Sequence, residues 1–128
     1  MPALLGDAMK RFVACALFAA GLLSSAQAQT VHEGTYDVAG TNLDGSKYSG
    51  TARIVLTSET TCAMEWKTGE TTSNGICMLQ DNAFAAAYVL GEAVGLVIYE
   101  VMPGGVLNGS WTISGQDGSG TETLRLRN

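Results

Sequence analysis

From Gly34 onwards, runs of residues rich in aliphatic, aromatic and threonine side chains alternate with short clusters of Gly, Asn and Asp. Within the run 48–57, Tyr48, Ala52 and Ile54 share one face, whereas Arg53 lies on the other. A period of two is typical of a strand with one buried face. The pattern predicts strands at 34–39, 48–57, 61–66, 72–79, 83–90, 94–102, 106–114 and 120–127.

The segment 83–102 allows two interpretations. Phe84 and Tyr88 are four residues apart among alanines, which suits a helix. Gly91, Gly95 and the β-branched residues around them favour two strands joined by a turn at Gly91. We predict two strands, and a helix over 83–88 is the alternative.

The strands should form one closed sheet. No segment is long enough for a crossover helix, so the pairing should be antiparallel. The sequence GTYDVAG at 34–40 returns as GSWTISG at 109–115, and each copy is followed by Asp-Gly-Ser. If these units belong to the first and last hairpins, their meeting would remove two bare sheet edges. The fold predicted is all-β: a single small antiparallel eight-stranded up-and-down barrel.

The first 28 residues differ from the rest in composition. Lys10 and Arg11 precede an apolar run over 12–24, and Ala26-Gln27-Ala28 matches the small-x-small site of a signal peptidase. The run is short for a membrane-spanning helix, and a retained anchor is the alternative. We predict a signal peptide over 1–28, a barrel domain over 29–128, and a periplasmic or secreted location.

Charge and cysteine content restrict the partners. The chain carries a net charge of −5, and the region after residue 28 is also acidic, which argues against nucleic acid and against anionic membrane surfaces. No membrane contact is expected after signal cleavage. Cys62 and Cys77 are the cysteines of the exported domain, and in an oxidising compartment they predict a disulfide. With no Cys-x-x-Cys and with His32 alone in an N-terminal segment expected to fray, no metal and no cofactor is predicted.

Glu122 is a candidate functional residue, and Glu100 and Glu65 break the patterns of their strands in the same way. Glu122 has the same parity as Leu124, so it should point inward, near Trp111. It could bind a cation or act as an acid, or it could lie at the barrel mouth, hydrated or paired with Arg53. No serine has a histidine to activate it, so no catalytic residue is predicted and the protein is not expected to be an enzyme.

An eight-stranded barrel can be filled by its side chains or can hold one small ligand. Inward glycines and alanines suggest either an internal space or a narrow barrel. The candidate lining residues are Trp66, Trp111, Tyr36 and Glu122, with Tyr48, Tyr88 and Tyr99 as further aromatics. Trp111 is expected to be largely buried against Tyr36 and the leucines of the last strand.

Two segments carry a resemblance. Gly34-Thr35-Tyr36 and Leu107-Asn108-Gly109-Ser110-Trp111 resemble the Gly-x-aromatic strand starts of avidin-like and lipocalin-like barrels. The spacing of Gly, Asp-Gly, Trp and Gly-Thr-Glu is also similar to that of small exported bacterial proteins of uncharacterised families, some of them described as binding host matrix proteins. The resemblance implies a β-barrel. It assigns no binding residues, because biotin binders carry more tryptophans and a polar contact set not found here.

These observations lead to one hypothesis and two alternatives. The leading hypothesis is an exported, non-enzymatic β-barrel that acts as a binding or interaction module for an unknown small ligand or protein. The first alternative is an enzyme inhibitor that presents the turn 42–47. The second is a carboxylate-dependent hydrolase that uses Glu122 or Glu100.

Overall fold

The computed structural model of the protein describes residues 30–128, so the predicted signal peptide and its cleavage site lie outside the described residues. Residues 30–128 include no helix long and apolar enough to cross a membrane. The strands are β1 (Gly34–Thr41), β2 (Lys47–Leu56), β3 (Thr61–Thr68), β4 (Thr71–Gln80), β5 (Ala83–Leu90), β6 (Ala93–Met102), β7 (Val106–Ile113) and β8 (Gly120–Leu126).

These strands close into a barrel. Each strand pairs antiparallel with the next along the chain, and β1 pairs with β8, so that Tyr36 lies opposite Leu126 and Gly40 opposite Glu122. The predicted fold class and the closure between first and last strands are both confirmed. Closure leaves no unpaired edge to recruit another chain.

The ambiguous segment 83–88 is part of a strand. In β5, Phe84 lies opposite Tyr99 of β6, and Phe84 and Ala86 are buried while Ala85 is exposed. Tertiary packing therefore overrides the helix preference of the alanines, because period-two burial places the large rings inside the barrel.

The hairpin turns have the predicted chemistry. Gly45 adopts a φ of 87°, a left-handed conformation that suits glycine. The Asp44 carboxylate accepts hydrogen bonds from the Ser46 amide at 2.9 Å and from the Ser46 hydroxyl at 2.6 Å. These bonds hold the pKa of Asp44 below its usual value. β1 and β3 run two residues further than predicted because ladder pairing continues up to the turns.

The barrel has two different ends. One end carries the turns 42–46, 69–70, 91–92 and 114–119, and we call it the open end. The other end carries the turns 57–60, 81–82 and 103–105, and we call it the closed end. Its interior is filled by large apolar side chains with almost no exposed surface, chiefly Tyr36, Ile54, Phe84, Leu107 and Leu124.

The N-terminal residues of the described region pack against the closed end. Val31 is buried and belongs to the core, and the carbonyl of His32 accepts a hydrogen bond from the Tyr36 hydroxyl at 2.5 Å. The Glu33 carboxylate accepts a bond from the Leu56 amide at 2.7 Å. The expectation that this segment frays is wrong, because one apolar side chain and two hydrogen bonds anchor it.

Cys62 of β3 and Cys77 of β4 form a disulfide in the closed half of the barrel. They are directly opposite each other in the hairpin, with Cα atoms 5.0 Å apart, and both are buried. The predicted disulfide is confirmed. Such bonds are typical of proteins in oxidising compartments.

Candidate ligand-binding site

The open end contains a cavity of about 340 Å³. Several inward positions of this half are glycines, namely Gly40, Gly50, Gly75 and Gly95, whereas the closed half has large side chains at its inward positions. Ligand pockets are typically about 300–1,000 Å³ in volume. The lining residues are Asn42, Tyr48, Trp66, Thr68, Gly69, Thr71, Ser73, Tyr88, Leu90, Val97, Trp111, Ile113 and Glu122.

Four aromatic rings form much of the cavity wall. The rings of Tyr48 and Trp111 meet edge to face, with centroids 6.3 Å apart. The rings of Trp66 and Tyr88 are tilted against each other at 5.4 Å. Their faces and edges offer the apolar surface that a planar or cationic ligand can pack against.

The position of several rings is set by glycines on neighbouring strands. Tyr88 lies opposite Gly95, and a side chain at Gly95 would overlap the Tyr88 ring. Tyr99 lies opposite Gly109, where an added Cβ would come within 2.6 Å of the Tyr99 ring. The same pairing joins Tyr48 to Gly40 and Trp111 to Gly120. An aromatic beside a bare glycine can lie flat on the barrel wall, which explains the spacing of glycines and aromatics along the sequence.

Glu122 brings a carboxylate into this aromatic environment. Its side chain is 6% exposed and lines the cavity. Its Oε1 accepts a hydrogen bond from the Tyr48 hydroxyl at 2.7 Å. Its Oε2 accepts bonds from Trp66 Nε1 at 3.1 Å and from the Tyr99 hydroxyl. The carboxylate is thus held from two sides in a fixed orientation.

Among the described residues no base forms an ion pair with this carboxylate. Within residues 30–128 the ion pairs are Lys67–Glu65 at 3.7 Å and Arg127–Asp37 at 2.7 Å, both on the outer surface. Arg53, the partner considered for Glu122, is exposed on the outer face of β2. Hydrogen bonds from three donors, and not a positive charge, therefore offset the free-energy cost of burying the Glu122 carboxylate.

The tyrosines around Glu122 remain protonated at neutral pH. Burial, reinforced by the negative charge of Glu122, raises the pKa of Tyr88 to about 12. The same two causes, with a direct hydrogen bond to Glu122, raise the pKa of Tyr48 and of Tyr99 well above the usual value of a phenol. Tyr48 and Tyr99 can therefore donate hydrogen bonds to the carboxylate throughout the neutral pH range.

The structure places the predicted residues in two groups. Trp66, Trp111 and Glu122 line the cavity, whereas Tyr36 lies in the closed-end core. Trp111 is only partly buried, and its Nε1 donates to the Thr121 carbonyl at 3.3 Å. Its expected burial against Tyr36 is wrong, because strand parity fixes the inward direction but not the position along the barrel axis.

Sequence reasoning missed the link between Glu122 and its donors. Tyr48 and Tyr99 lie on β2 and β6, far from Glu122 along the chain. The sequence feature that could have indicated this link is the set of inward aromatic residues that lie opposite inward glycines on neighbouring strands. Glu100, named with Glu122 for a hydrolase, is exposed on the outside of the barrel. Within residues 30–128 no three His, Cys, Asp or Glu side chains are grouped to hold a metal ion.

Comparison with known proteins shows the fold. No family model and no curated protein matches the chain. Among solved structures, a redesigned β-barrel has a TM-score of 0.65 and 20% identity, with 75% of this chain and 91% of that one covered. The redesigned barrel mFAP1 bound to DFHBI has a TM-score of 0.63 and 21% identity, with 73% and 93% covered. A de novo designed fluorescence-activating barrel has a TM-score of 0.61 and 14% identity, with 75% and 94% covered.

These structures share the eight-stranded barrel architecture with the protein. At such low identity the likeness concerns the fold alone. It supports the barrel that the avidin-like and lipocalin-like strand starts implied.

Proposed function

We propose that the protein is an exported, non-enzymatic β-barrel that binds a small molecule in the cavity at its open end. The observation that carries the proposal is a cavity with four aromatic rings in its wall and one oriented, buried carboxylate. Sites of this kind combine apolar walls with a few fixed polar groups. The binding of DFHBI by a designed barrel of the same fold supports the idea that such a barrel can hold a ligand.

The cavity chemistry favours binding over catalysis. Glu122 is the one carboxylate among the lining residues, and Glu100 lies on the other side of the barrel wall. Acid–base hydrolysis of glycosides normally uses two facing carboxylates. Glu122 also accepts bonds from three donors, which hold it in place as a fixed recognition group.

Export to the periplasm or beyond is part of the proposal. The disulfide between Cys62 and Cys77 supports an oxidising location. Mass spectrometry of the protein from its native source should find Gln29 as the first residue and the two cysteine peptides linked without reductant. A mature protein that still contains residues 1–28 would contradict export with cleavage of a signal peptide.

A screen for ligand-induced stabilisation tests the cavity. A ligand at about 100 times its Kd stabilises the folded state by about 2.7 kcal/mol, which a melting measurement detects. Ser73→Trp should fill the cavity from its wall and abolish the stabilisation. Thr72→Trp is the matched control, because Thr72 is the exposed neighbour on the outer face of β4.

The pair of tryptophan variants makes the result decisive. Binding that survives in Ser73→Trp would place the ligand outside the cavity. A broad screen in which no compound stabilises the wild-type protein would contradict the proposal directly.

A further inference from the structure

Glu122 is the residue of the interior that packing does not explain. The next inward residue of the same strand, Leu124, is fully buried in an apolar core. A leucine at 122 would keep the strand pattern and avoid the cost of burying a carboxylate. Three donors are instead arranged around an acid that forms no ion pair within residues 30–128.

The cavity carries a negative charge that no base in its lining neutralises. Its lining includes one acid and no base. The bases of the described strands and their flanks all lie exposed on the outer surface, namely Lys47, Lys67, Arg53, Arg125 and Arg127. A carboxylate at the wall of a partly closed, low-dielectric space favours a positive guest and disfavours a negative one.

The aromatic rings favour the same kind of guest. Tyr48, Trp66, Tyr88 and Trp111 all line the space that Glu122 lines. A cation over the face of an aromatic ring is attracted by its quadrupole, most strongly when water is excluded. Rings of this type surrounding an acid form the recognition chemistry of ammonium groups.

We propose that the cavity binds an organic ammonium ion, with the positive group at Glu122 and the hydrocarbon body against the aromatic wall. This inference rests on the proposed function, since it names the ligand class of the same cavity. Thr68, Thr71 and Ser73 line the cavity and can hydrogen-bond a polar end of the ligand that faces solvent.

Three probes of one shape and different charge test the inference. Phenethylammonium, phenethyl alcohol and phenylacetate differ in the polar group and share the ring. Isothermal titration should find phenethylammonium bound at least about tenfold more tightly than the alcohol, a difference of about 1.4 kcal/mol, and phenylacetate bound most weakly. Glu122→Gln should remove the preference, whereas Glu100→Gln, at an exposed outer position, should keep it.

The outcomes separate the two proposals. If the alcohol or phenylacetate binds in the cavity as tightly as the ammonium ion, the charge inference is overturned and cavity binding stands. If none of the three binds, the charge inference is overturned, and the compound screen with Ser73→Trp decides cavity binding. The comparison of probes on the wild-type protein holds even if Glu122→Gln fails to fold.

A second inference comes from the outer surface of β4, β5 and β6, which we call the apolar face. Its most exposed members are Ile76 at 73%, Ile98 at 63% and Leu96 at 57%. The cross-strand register makes it continuous, since Ile76, Ala87 and Leu96 form one row. The apolar face comprises Ile76, Met78, Ala85, Ala87, Val89, Val94, Leu96 and Ile98.

The apolar face is large for the surface of a monomer. From their exposed fractions, its six large side chains present on the order of 600 Å² of apolar surface, at the upper limit of about 300–600 Å² usual for monomers. A standard protein interface buries about 800 Å² per partner, rim included. The face and its polar rim therefore match the area that a stable dimer needs.

We infer that the partner of the apolar face is a second copy of this chain. The eight residues of the face are uncharged, and Glu100 follows Ile98 on the outer side of β6 at the edge of the face. A two-fold axis through the centre of the face would therefore stack the apolar residues and leave the Glu100 of each copy at the rim. The next strand, β7, presents polar Asn108 and Ser110 on its outer side, which suits the rim of such an interface.

Sedimentation of the disulfide-bonded domain tests the inference. The wild-type protein should be dimeric at micromolar concentration, and Leu96→Lys should shift it to monomer. Ser49→Lys is the control, because Ser49 is exposed on the outer side of β2, away from the face. A monomer at all concentrations up to millimolar, or a dimer unaffected by Leu96→Lys together with Ile76→Lys, would overturn the inference.

Discussion

The closed and open ends of the barrel are built from the same eight strands but filled differently. In β5 the inward residue near the closed end is Phe84, fully buried, and the one near the open end is Tyr88, partly exposed. In β8 the inward residues are Leu124 at the closed end and Glu122 towards the open end. Two residues along one strand separate the apolar core from the cavity that Glu122 lines.

This difference teaches that stability and recognition are located in separate halves. The closed end has the buried apolar side chains, the disulfide and the anchored segment 30–33. The open end has glycines, aromatic rings and a carboxylate. A rigid, well-packed half can hold the walls of a half that is left hollow, because barrel closure connects both halves through every strand.

The largest expected effect is the loss of the closed-end half of β8. Deleting residues 124–128 removes Leu124 and Leu126, the partners of Val38 and Tyr36. We expect loss of cooperative melting for the whole domain, because the deletion reopens the barrel. Removing Arg127 and Asn128 alone keeps the residue pairs from Tyr36–Leu126 to Thr41–Thr121 and loses the Arg127–Thr35 backbone bond and the exposed Arg127–Asp37 ion pair, so its effect should be small. If rapid hydrogen exchange in the variant that lacks residues 124–128 were confined to β1, with the other strands protected, the prediction would be contradicted.

Alanine substitutions at the two ends should differ in size. Phe84→Ala empties a fully buried site and should lower the free energy of unfolding by about 3–5 kcal/mol. Trp111→Ala should cost less than half as much, because Trp111 is partly exposed beside the cavity. Denaturant unfolding measures both. Equal losses would mean that the open end contributes to stability as strongly as the closed end.

Removing the disulfide should weaken stability without affecting the cavity. The double variant Cys62→Ser with Cys77→Ser should lose about 2–4 kcal/mol of unfolding free energy, as expected for a cross-link between residues 15 apart. Ligand affinity of the folded variant should not change, because neither cysteine lines the cavity. A marked loss of affinity would show that the two ends are coupled.

The smallest expected effect is a loss of stability at alkaline pH, caused by Tyr88 at the open end. The pKa of Tyr88 is about 12 in the folded protein and about 10 in an unfolded chain. A raised pKa means that the stability linked to this proton is complete below about pH 10 and is lost as the pH rises towards 12. Melting temperatures should fall over this range.

Titration of the tyrosines in Glu122→Gln tests how much the charge of Glu122 contributes to their raised pKa values. Removing the negative charge should lower the pKa of Tyr88, Tyr48 and Tyr99, so tyrosine absorbance should begin to change at lower pH. Glu100→Gln serves as the control for a distant exposed acid. An unchanged titration in Glu122→Gln would show that burial alone raises these pKa values.

Much of the fold is predictable from the sequence because its causes are local. Period-two alternation and turn glycines such as Gly45 define all eight strands to within about two residues of their observed bounds. Strand parity correctly directs Glu122 and Trp66 inward. The position of Tyr36 was not predictable, because parity gives the face of the strand and not the stagger between strands.

The sequence by itself determined the strands, their antiparallel order, the turns and the pairing of Cys62 with Cys77, all of which depend on neighbours along the chain or in one hairpin. Only the tertiary structure decided that the barrel is hollow at one end and that Tyr48, Trp66 and Tyr99 converge on Glu122. The physical reason is that a cavity depends on the summed volume of the side chains that all eight strands place at one height along the barrel axis. That height is set by barrel closure and strand stagger, which no single segment of the sequence contains.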